Sequence, residues 1–137
     1  MILSNIKGRP TKITHTKYSI KWDNPSRSIA QFNTKQFFKN YWLTDVVCEE
    51  FKIPGSKLRI DLINFTKKIV VETSGRQHEK FVKFFHKNRV GFLKSIKRDF
   101  EKINWIEFNG FTFLEIYDSE VKDLSADFLA EKFNLIL

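Results

Sequence analysis

The chain has 137 residues, of which 42% are hydrophobic, and a formal net charge of +8. This length and composition predict a single folded domain with a core and exclude an intrinsically disordered protein.

Cys48 is the one cysteine, so neither an internal disulfide nor a cysteine-based metal cluster can form. No apolar run approaches the roughly 20 residues of a membrane span, and the N-terminus lacks the apolar stretch of a secretory signal. We therefore expect a soluble intracellular protein.

Charged residues are distributed unevenly along the sequence. Residues 1–40 hold eight lysines and arginines against one acid, and residues 76–102 hold nine against three. The segment 41–75 between them is balanced, whereas residues 103–137 carry an excess of acids. Two basic segments of this kind favour binding to a polyanion such as nucleic acid, although a solvated basic surface is the simpler alternative.

The N-terminal third shows no clear helix before its last residues. TKYSIKW alternates polar and apolar residues, which predicts either a short strand or an extended arm, and DNPS signals a turn. Thr34 is predicted to cap a helix over TKQFFKNYWLTD, where aromatic residues recur at helical spacing. We accordingly assign residues 1–33 to a basic N-terminal arm and residues 34–137 to a core domain.

The middle and C-terminal parts contain alternating strand and helix patterns. VVCEEF, LRIDLIN and IVVETS are predicted strands, and their short connections favour an antiparallel meander. A long amphipathic helix is predicted from Gly91 to Asn109, followed by a strand at FTFLEIY and a last helix capped by Ser125. Because a crossover helix precedes the fourth strand, we expect that strand to run parallel to one of the meander. The expected fold class is α/β (α+β), a mixed four-stranded sheet flanked by helices.

Two of the predicted core strands carry a carboxylate each, Asp61 and Glu72. Burial of an ionised carboxylate is unfavourable unless the group is paired, hydrogen-bonded or bound to a metal. A divalent cation such as Mg²⁺ would neutralise both groups, because it prefers oxygen ligands and keeps some of its water. The alternative is local pairing, of Asp61 with Arg59 or Lys68 and of Glu72 with a lysine at the sheet edge.

Glu49 and Glu50 lie on the preceding strand and point to opposite faces. The length of the hairpin loop decides which of them stands opposite Asp61. A three-residue loop, 54–56, selects Glu49, whereas a four-residue loop, 54–57, selects Glu50. We favour the four-residue loop.

The segment LRIDLINFTKKIVVETSGRQH resembles the core of the PD-(D/E)xK nuclease superfamily, in which a strand Asp and, after a hairpin, a strand Glu hold Mg²⁺. VETSGRQH is similar to the VExxGxxH segment of the branch with very-short-patch-repair-like endonucleases and small phage or homing endonucleases, which has a Glu, Asp, His, Asp signature. KRDFEKINWIEFNGFTFLEIYDSEV resembles the helix and strand that follow there. The resemblance covers about residues 46–121 and implies a restriction-endonuclease-like core.

For the metal, the resemblance implies Mg²⁺ or Mn²⁺ held by the two strand carboxylates. Asp61 would be the central ligand, and Glu72 would be a second ligand or would hold a metal-bound water. The backbone carbonyl of Thr73 would complete the set.

For proton transfer, the resemblance implies that His78 acts as general base or acid and that Asp99 orients it or binds metal. Either Glu49 or Glu50 would fill the early Glu position of the signature. The superfamily lysine, two residues after the strand Glu, is replaced here by Ser74.

The predicted function is therefore a metal-dependent endonuclease that hydrolyses phosphodiester bonds of double-stranded DNA. The resemblance implies a free-standing phage or mobile-element nuclease, acting in the cytoplasm of the host cell, and a homodimer is one way for so small a chain to cut both strands. Two alternatives are a repair-type nicking endonuclease and a non-catalytic nucleic-acid-binding protein on a decayed nuclease core. The candidate DNA contacts are basic residues of both basic segments: Lys7, Arg9, Lys12, Arg27, Arg76, Lys97 and Arg98.

Overall fold

A computed structural model describes residues 1–75 and 89–137, and for residues 89–95 it describes the backbone only. Its regular elements, with two short 3₁₀ turns at Thr16–Tyr18 and Asp118–Asp123, are β1 (Ile2–Ser4), β2 (Pro10–Lys12), α1 (Ile29–Trp42), β3 (Val47–Lys52), β4 (Arg59–Asn64), β5 (Ile69–Ser74), α2 (Arg89–Phe108), β6 (Thr112–Tyr117) and α3 (Ala126–Phe133). Helix α2 is the longest of these helices. In the described residues, no helix is both long enough and apolar enough to cross a membrane.

The central sheet has the strand order β3-β4-β5-β6. The β3–β4 and β4–β5 pairs are antiparallel, and β5 pairs with β6 in parallel. The predicted mixed sheet with a three-stranded meander is thus confirmed. Helix α2 provides the crossover that a parallel pair requires.

Helices cover both faces of this sheet. On one face Phe38 and Trp42 of α1 pack with Leu129 of α3 against strand residues such as Leu62. On the other face Trp105 and Ile106 of α2 pack against strand residues, among them Cys48, Ile63, Val70. Cys48, Trp42 and Trp105 are core residues, and burial raises the pKa of the Cys48 thiol to about 12.

Helix α1 begins earlier than the sequence predicted. Ser28, in an extended conformation, is its N-cap, and its Oγ accepts a hydrogen bond from the Gln31 amide at 3.1 Å. The prediction of Thr34 as the cap was wrong, because its hydroxyl donates to the Ala30 carbonyl within the helix at 2.8 Å. The expected boundary between residues 33 and 34 therefore falls inside α1.

The N-terminal segment is hydrogen-bonded to the rest of the fold. Strands β1 and β2 form a small antiparallel hairpin. The backbone of Ser4 in this hairpin accepts from Trp105 Nε1 at 2.7 Å and donates to Asn109 Oδ1 at 2.8 Å. Further along, Ser19 forms an isolated bridge with Cys48 at the free edge of β3. Residues 1–20 thus contact α2 and the sheet edge, and Thr16–Tyr18 forms a 3₁₀ turn where the sequence left a short strand or an extended arm open.

Candidate active site

Strands β4 and β5 separate at the point where their carboxylates lie. Regular pairing runs from Asn64–Ile69 to Leu62–Val71. At the next position, side-chain oxygens of Asp61 and Glu72 replace the backbone carbonyls as hydrogen-bond acceptors. Asp61 Oδ2 accepts from the Thr73 amide at 2.9 Å and from its hydroxyl at 3.1 Å, while the Asp61 amide donates to Glu72 Oε2 at 3.3 Å.

These contacts explain how two carboxylates can occupy the centre of a sheet. Asp61 and Glu72 are only 9% and 8% exposed. Each carboxylate accepts a hydrogen bond from the backbone of the neighbouring strand, which lowers the cost of its burial. The opened ends of β4 and β5 thereby place both groups side by side.

Lys102 of α2 supplies a cation that the sequence analysis did not identify. Its Nζ lies 2.8 Å from Glu72 Oε1. A signal was nevertheless present, because Asp99 and Lys102 are three residues apart and so lie on one face of a helix. The alternative of local pairing is thus met in part, because Glu72 has a lysine partner, but this lysine comes from the helix above the sheet rather than from a strand edge.

Glu72 titrates far from its ordinary range. Burial, followed by the negative charge of Asp61, raises the pKa of Glu72 to about 8, and the charge of Lys102 opposes this shift. The single ammonium does not balance both carboxylates. The pair therefore favours the approach of a further proton or of another cation.

Two more acids lie near this pair. Glu115 stands beside Glu72 in the parallel pairing of β5 with β6. Asp99 is exposed on α2. The four acids share a cleft of about 410 Å³ with two basic residues, Arg27 and Lys102. The remaining residues that line this cleft are Ser28, Gln31, Thr73, Ser74, Ile103 and Phe113.

The β3–β4 hairpin settles which glutamate stands opposite Asp61. The Ile53 amide donates to the Leu58 carbonyl at 2.8 Å, which closes a four-residue loop. Pairing of Glu49 with Leu62 and of Phe51 with Ile60 places Glu50 opposite Asp61, as we favoured.

Both glutamates nevertheless contact the same wall of the cleft. Glu50 has a φ of 52°, in the left-handed region, which is unusual for a strand residue. Nε2 of Gln31 donates to Glu49 Oε2 at 3.0 Å and to Glu50 Oε1 at 3.2 Å. Because Gln31 lines the cleft, it connects Glu49 and Glu50 to the site that contains Asp61.

The carboxylates of the cleft offer oxygen ligands for a metal ion. Among the described residues, no three His, Cys, Asp or Glu side chains are grouped as a metal site. Mg²⁺ does not need three, since it is commonly held by one or two carboxylates together with water and substrate phosphate. The buried, undercompensated pair of Asp61 and Glu72 therefore fits a hard divalent cation.

The structure brings together some predicted site residues and leaves others elsewhere. Asp61, Glu72, Thr73 and Asp99 share the cleft, as does Arg27. His78 and the predicted DNA contact Arg76 lie outside the described residues. The remaining predicted DNA contacts are exposed, three on the β1–β2 hairpin and two on α2: Lys7, Arg9, Lys12, Lys97 and Arg98.

Comparisons with known proteins place few constraints on this site. No protein-family model matches the sequence, and no solved structure matches it. Over 84 residues the chain is 33% identical to "Uncharacterized protein 033L" of Invertebrate iridescent virus 3. The match takes in 61% of this chain and 43% of the viral protein, so the chain spans less than half of that relative's length.

Proposed function

We propose that the protein is a metal-dependent endonuclease that hydrolyses phosphodiester bonds in double-stranded DNA. The observation that carries this proposal is the placement of Asp61 and Glu72 side by side at the opened ends of β4 and β5, with Lys102 Nζ at 2.8 Å from Glu72. The charge of +8 supports a polyanionic substrate. The resemblance of residues 46–121 to PD-(D/E)xK nucleases supports the reaction class.

Asp61, Glu72 and the carbonyl of Thr73 would hold Mg²⁺ or Mn²⁺. When bound, such an ion polarises a phosphate and lowers the pKa of a water molecule. The carboxylate of Asp61 is already oriented by two hydrogen bonds from Thr73, so little rearrangement of that side chain would be needed.

The basic residues of the cleft would act on the phosphate. Lys102 holds an ammonium at the carboxylates, where it can donate to a phosphate oxygen and stabilise the charge that develops there. Arg27 lines the same cleft and can bind a phosphate through its planar guanidinium. The proposed proton-transfer role of His78, with Asp99 as its partner, rests on the sequence resemblance alone.

Basic residues outside the cleft would bind the rest of the duplex. Lys7, Arg9 and Lys12 are exposed on the β1–β2 hairpin, and Lys97 is exposed on the same helix as Lys102. One such cleft in each chain would nick one strand at a time, so a double-strand break would require a homodimer or two successive nicks. The viral relative is in keeping with a gene carried by a virus or another mobile element.

The proposal is tested with supercoiled plasmid. Purified protein is incubated with the plasmid in Mg²⁺ and, in parallel, in EDTA. Conversion to open-circular or linear DNA in Mg²⁺ alone is the expected result, and accumulation of the open-circular form alone would identify a nicking enzyme. The same plasmid left supercoiled in both buffers would contradict the proposal.

A non-catalytic nucleic-acid-binding protein is the second candidate. It is favoured by the fact that protein groups already contact both carboxylates, Asp61 through Thr73 and Glu72 through Lys102. The plasmid experiment distinguishes the two candidates, because a non-catalytic binding protein would retard the plasmid in a gel without cutting it.

A further inference from the structure

A lysine is completely buried beneath one wall of the cleft. Lys35 of α1 is 0% exposed, although lysine is rarely buried without partners. Its Nζ donates to the Lys21 carbonyl at 3.1 Å, to the Asn24 carbonyl at 2.7 Å and to Glu49 Oε1 at 3.1 Å. These are the three hydrogen bonds that an ammonium can make.

The carboxylate of Glu49 extends this network with its second oxygen. Glu49 Oε2 accepts from Ser26 Oγ at 2.6 Å and from Gln31 Nε2 at 3.0 Å. Together with the Lys35 bonds, these contacts fix residues 21–26 of the segment that precedes α1. Ser28, the N-cap of α1, fixes the other end of that segment through the Gln31 amide.

Arg27 lies between these two fixed points. Its neighbours Ser26 and Ser28 both use their hydroxyls in the bonds just described, whereas Arg27 is exposed and lines the cleft with Asp61 and Glu72. A guanidinium on a constrained backbone loses less conformational freedom when it binds a phosphate than one on a free loop.

We infer that the buried Lys35–Glu49 pair is a positioning device that holds Arg27 at the cleft, where Arg27 binds a phosphate of the DNA strand. Lys35 and Glu49 are thus positioning residues that act through Arg27. This inference rests on the proposed function, because it takes DNA as the ligand. It also gives Glu49 a different role from the one that the resemblance implies, because Glu49 is then the partner of Lys35 and not the early Glu of the nuclease signature.

Stability alone is a weak explanation for such a pair. Replacing a buried ion pair by apolar side chains of similar volume is often neutral or stabilising, whereas removing one partner leaves an uncompensated buried charge. The informative variant is therefore the double substitution Lys35→Met/Glu49→Leu. A milder second variant, Ser26→Ala, removes one bond to the segment and leaves the ion pair in place.

The test is a double-mutant cycle on duplex binding, measured in EDTA over a range of salt concentrations. Arg27→Ala in the otherwise native chain should lower the slope of log affinity against log salt by about 0.9, the value for one phosphate contact. Lys35→Met/Glu49→Leu should lower it by the same amount, and adding Arg27→Ala to that variant should have no further effect. Ser26→Ala should give a smaller loss in the same direction.

Lys39→Met is the matched control. Lys39 lies one helical turn from Lys35 and pairs with Asp23 of the same segment at 2.8 Å, but Asp23 is 83% exposed. This variant should keep the full effect of Arg27→Ala. Hydrogen exchange provides a second measurement: amides of residues 21–28 should exchange faster in Lys35→Met/Glu49→Leu, while those of β4 and β5 stay protected.

Each outcome has a distinct meaning. Equal effects of Arg27→Ala in the native and Lys35→Met/Glu49→Leu backgrounds would overturn the inference, as would unchanged exchange of residues 21–28. If the cycle is non-additive but the protein binds DNA without cleaving it, the proposed enzymatic function is wrong. The inference about Arg27 would still hold in that case. A native chain that binds no duplex would overturn both.

Discussion

The ammonium of Lys102 on α2 lies 2.8 Å from Oε1 of Glu72 on β5. In the nuclease superfamily that the sequence resembles, a lysine follows the strand glutamate by two residues, and that position is Ser74 here. The helix above the sheet thus places a positive charge at the carboxylates from a different point of the chain. In the proposed nuclease reaction, Lys102 would therefore act at the reacting phosphate.

Lys102→Met should lower plasmid cleavage by about 10²–10³-fold, because one charge-stabilising donor would be missing from the reaction. DNA affinity should change little, since the main phosphate contacts would remain. Lys122→Met, at an exposed lysine in the Asp118–Asp123 turn, is the control and should cleave normally. Full activity of Lys102→Met would limit Lys102 to a structural ion pair.

Stability should depend on pH through Glu72. The folded-state pKa of Glu72 is raised to about 8 from an ordinary value of 4.5, so the folded protein binds more protons than the unfolded chain between these values. Without divalent cations, the contribution of Glu72 to the free energy of unfolding should therefore be highest below about pH 4.5. That contribution should fall as the pH rises to about 8. The slope is at most about 1.4 kcal/mol per pH unit for one group.

Urea unfolding at a series of pH values measures this dependence. Glu72→Gln, which cannot ionise, should flatten the curve over the same range. A free-energy difference between the native protein and Glu72→Gln that stays constant from pH 5 to pH 8 would show that Glu72 is not held in its protonated form by the fold.

His78→Ala should reduce the cleavage rate by about 10²–10⁴-fold if His78 transfers a proton. DNA binding measured in EDTA should be retained. A parallel loss of affinity and rate would instead identify His78 as a DNA contact or a structural residue.

The β1–β2 hairpin should supply affinity rather than chemistry. The triple variant Lys7→Gln/Arg9→Gln/Lys12→Gln should lower the salt slope by up to about 2.7, if each side chain contacts a phosphate. Asn5 Oδ1 accepts from the backbone amides of Lys7 and Arg9, so the turn does not depend on the substituted side chains. An unaltered slope would exclude the hairpin from the DNA interface, and Lys122→Gln is a single-charge control.

Local patterns predicted much of this fold because they are set by short-range physics. The strands that hold Asp61 and Glu72, the four-residue hairpin loop and the cap at Ser125 all follow from strand alternation, turn residues and hydroxyl caps close together in sequence. Ser28 was missed as the cap of α1 because Ser26, Ser28 and Thr34 all offer a hydroxyl, and the extended backbone and the Gln31 hydrogen bond that mark Ser28 as the cap are visible only in the structure.

The composition of the site was harder to predict because it depends on packing between distant elements. Lys102 reaches Glu72 only when α2 covers the sheet, and Glu115 reaches the cleft only when β6 pairs in register with β5. The burial of Lys35 was equally hidden, since its three acceptors come from a loop and a strand that converge around α1.

Plasmid cleavage by Asp61→Asn in Mg²⁺ tests the central claim most directly. A neutral amide is a poor ligand for Mg²⁺, so the variant should fold and bind DNA but lose cleavage. Asp23→Asn, at an exposed carboxylate outside the cleft, should cleave like the native protein. Cleavage by Asp61→Asn at the native rate would contradict the assignment of this cleft as a metal-dependent nuclease site.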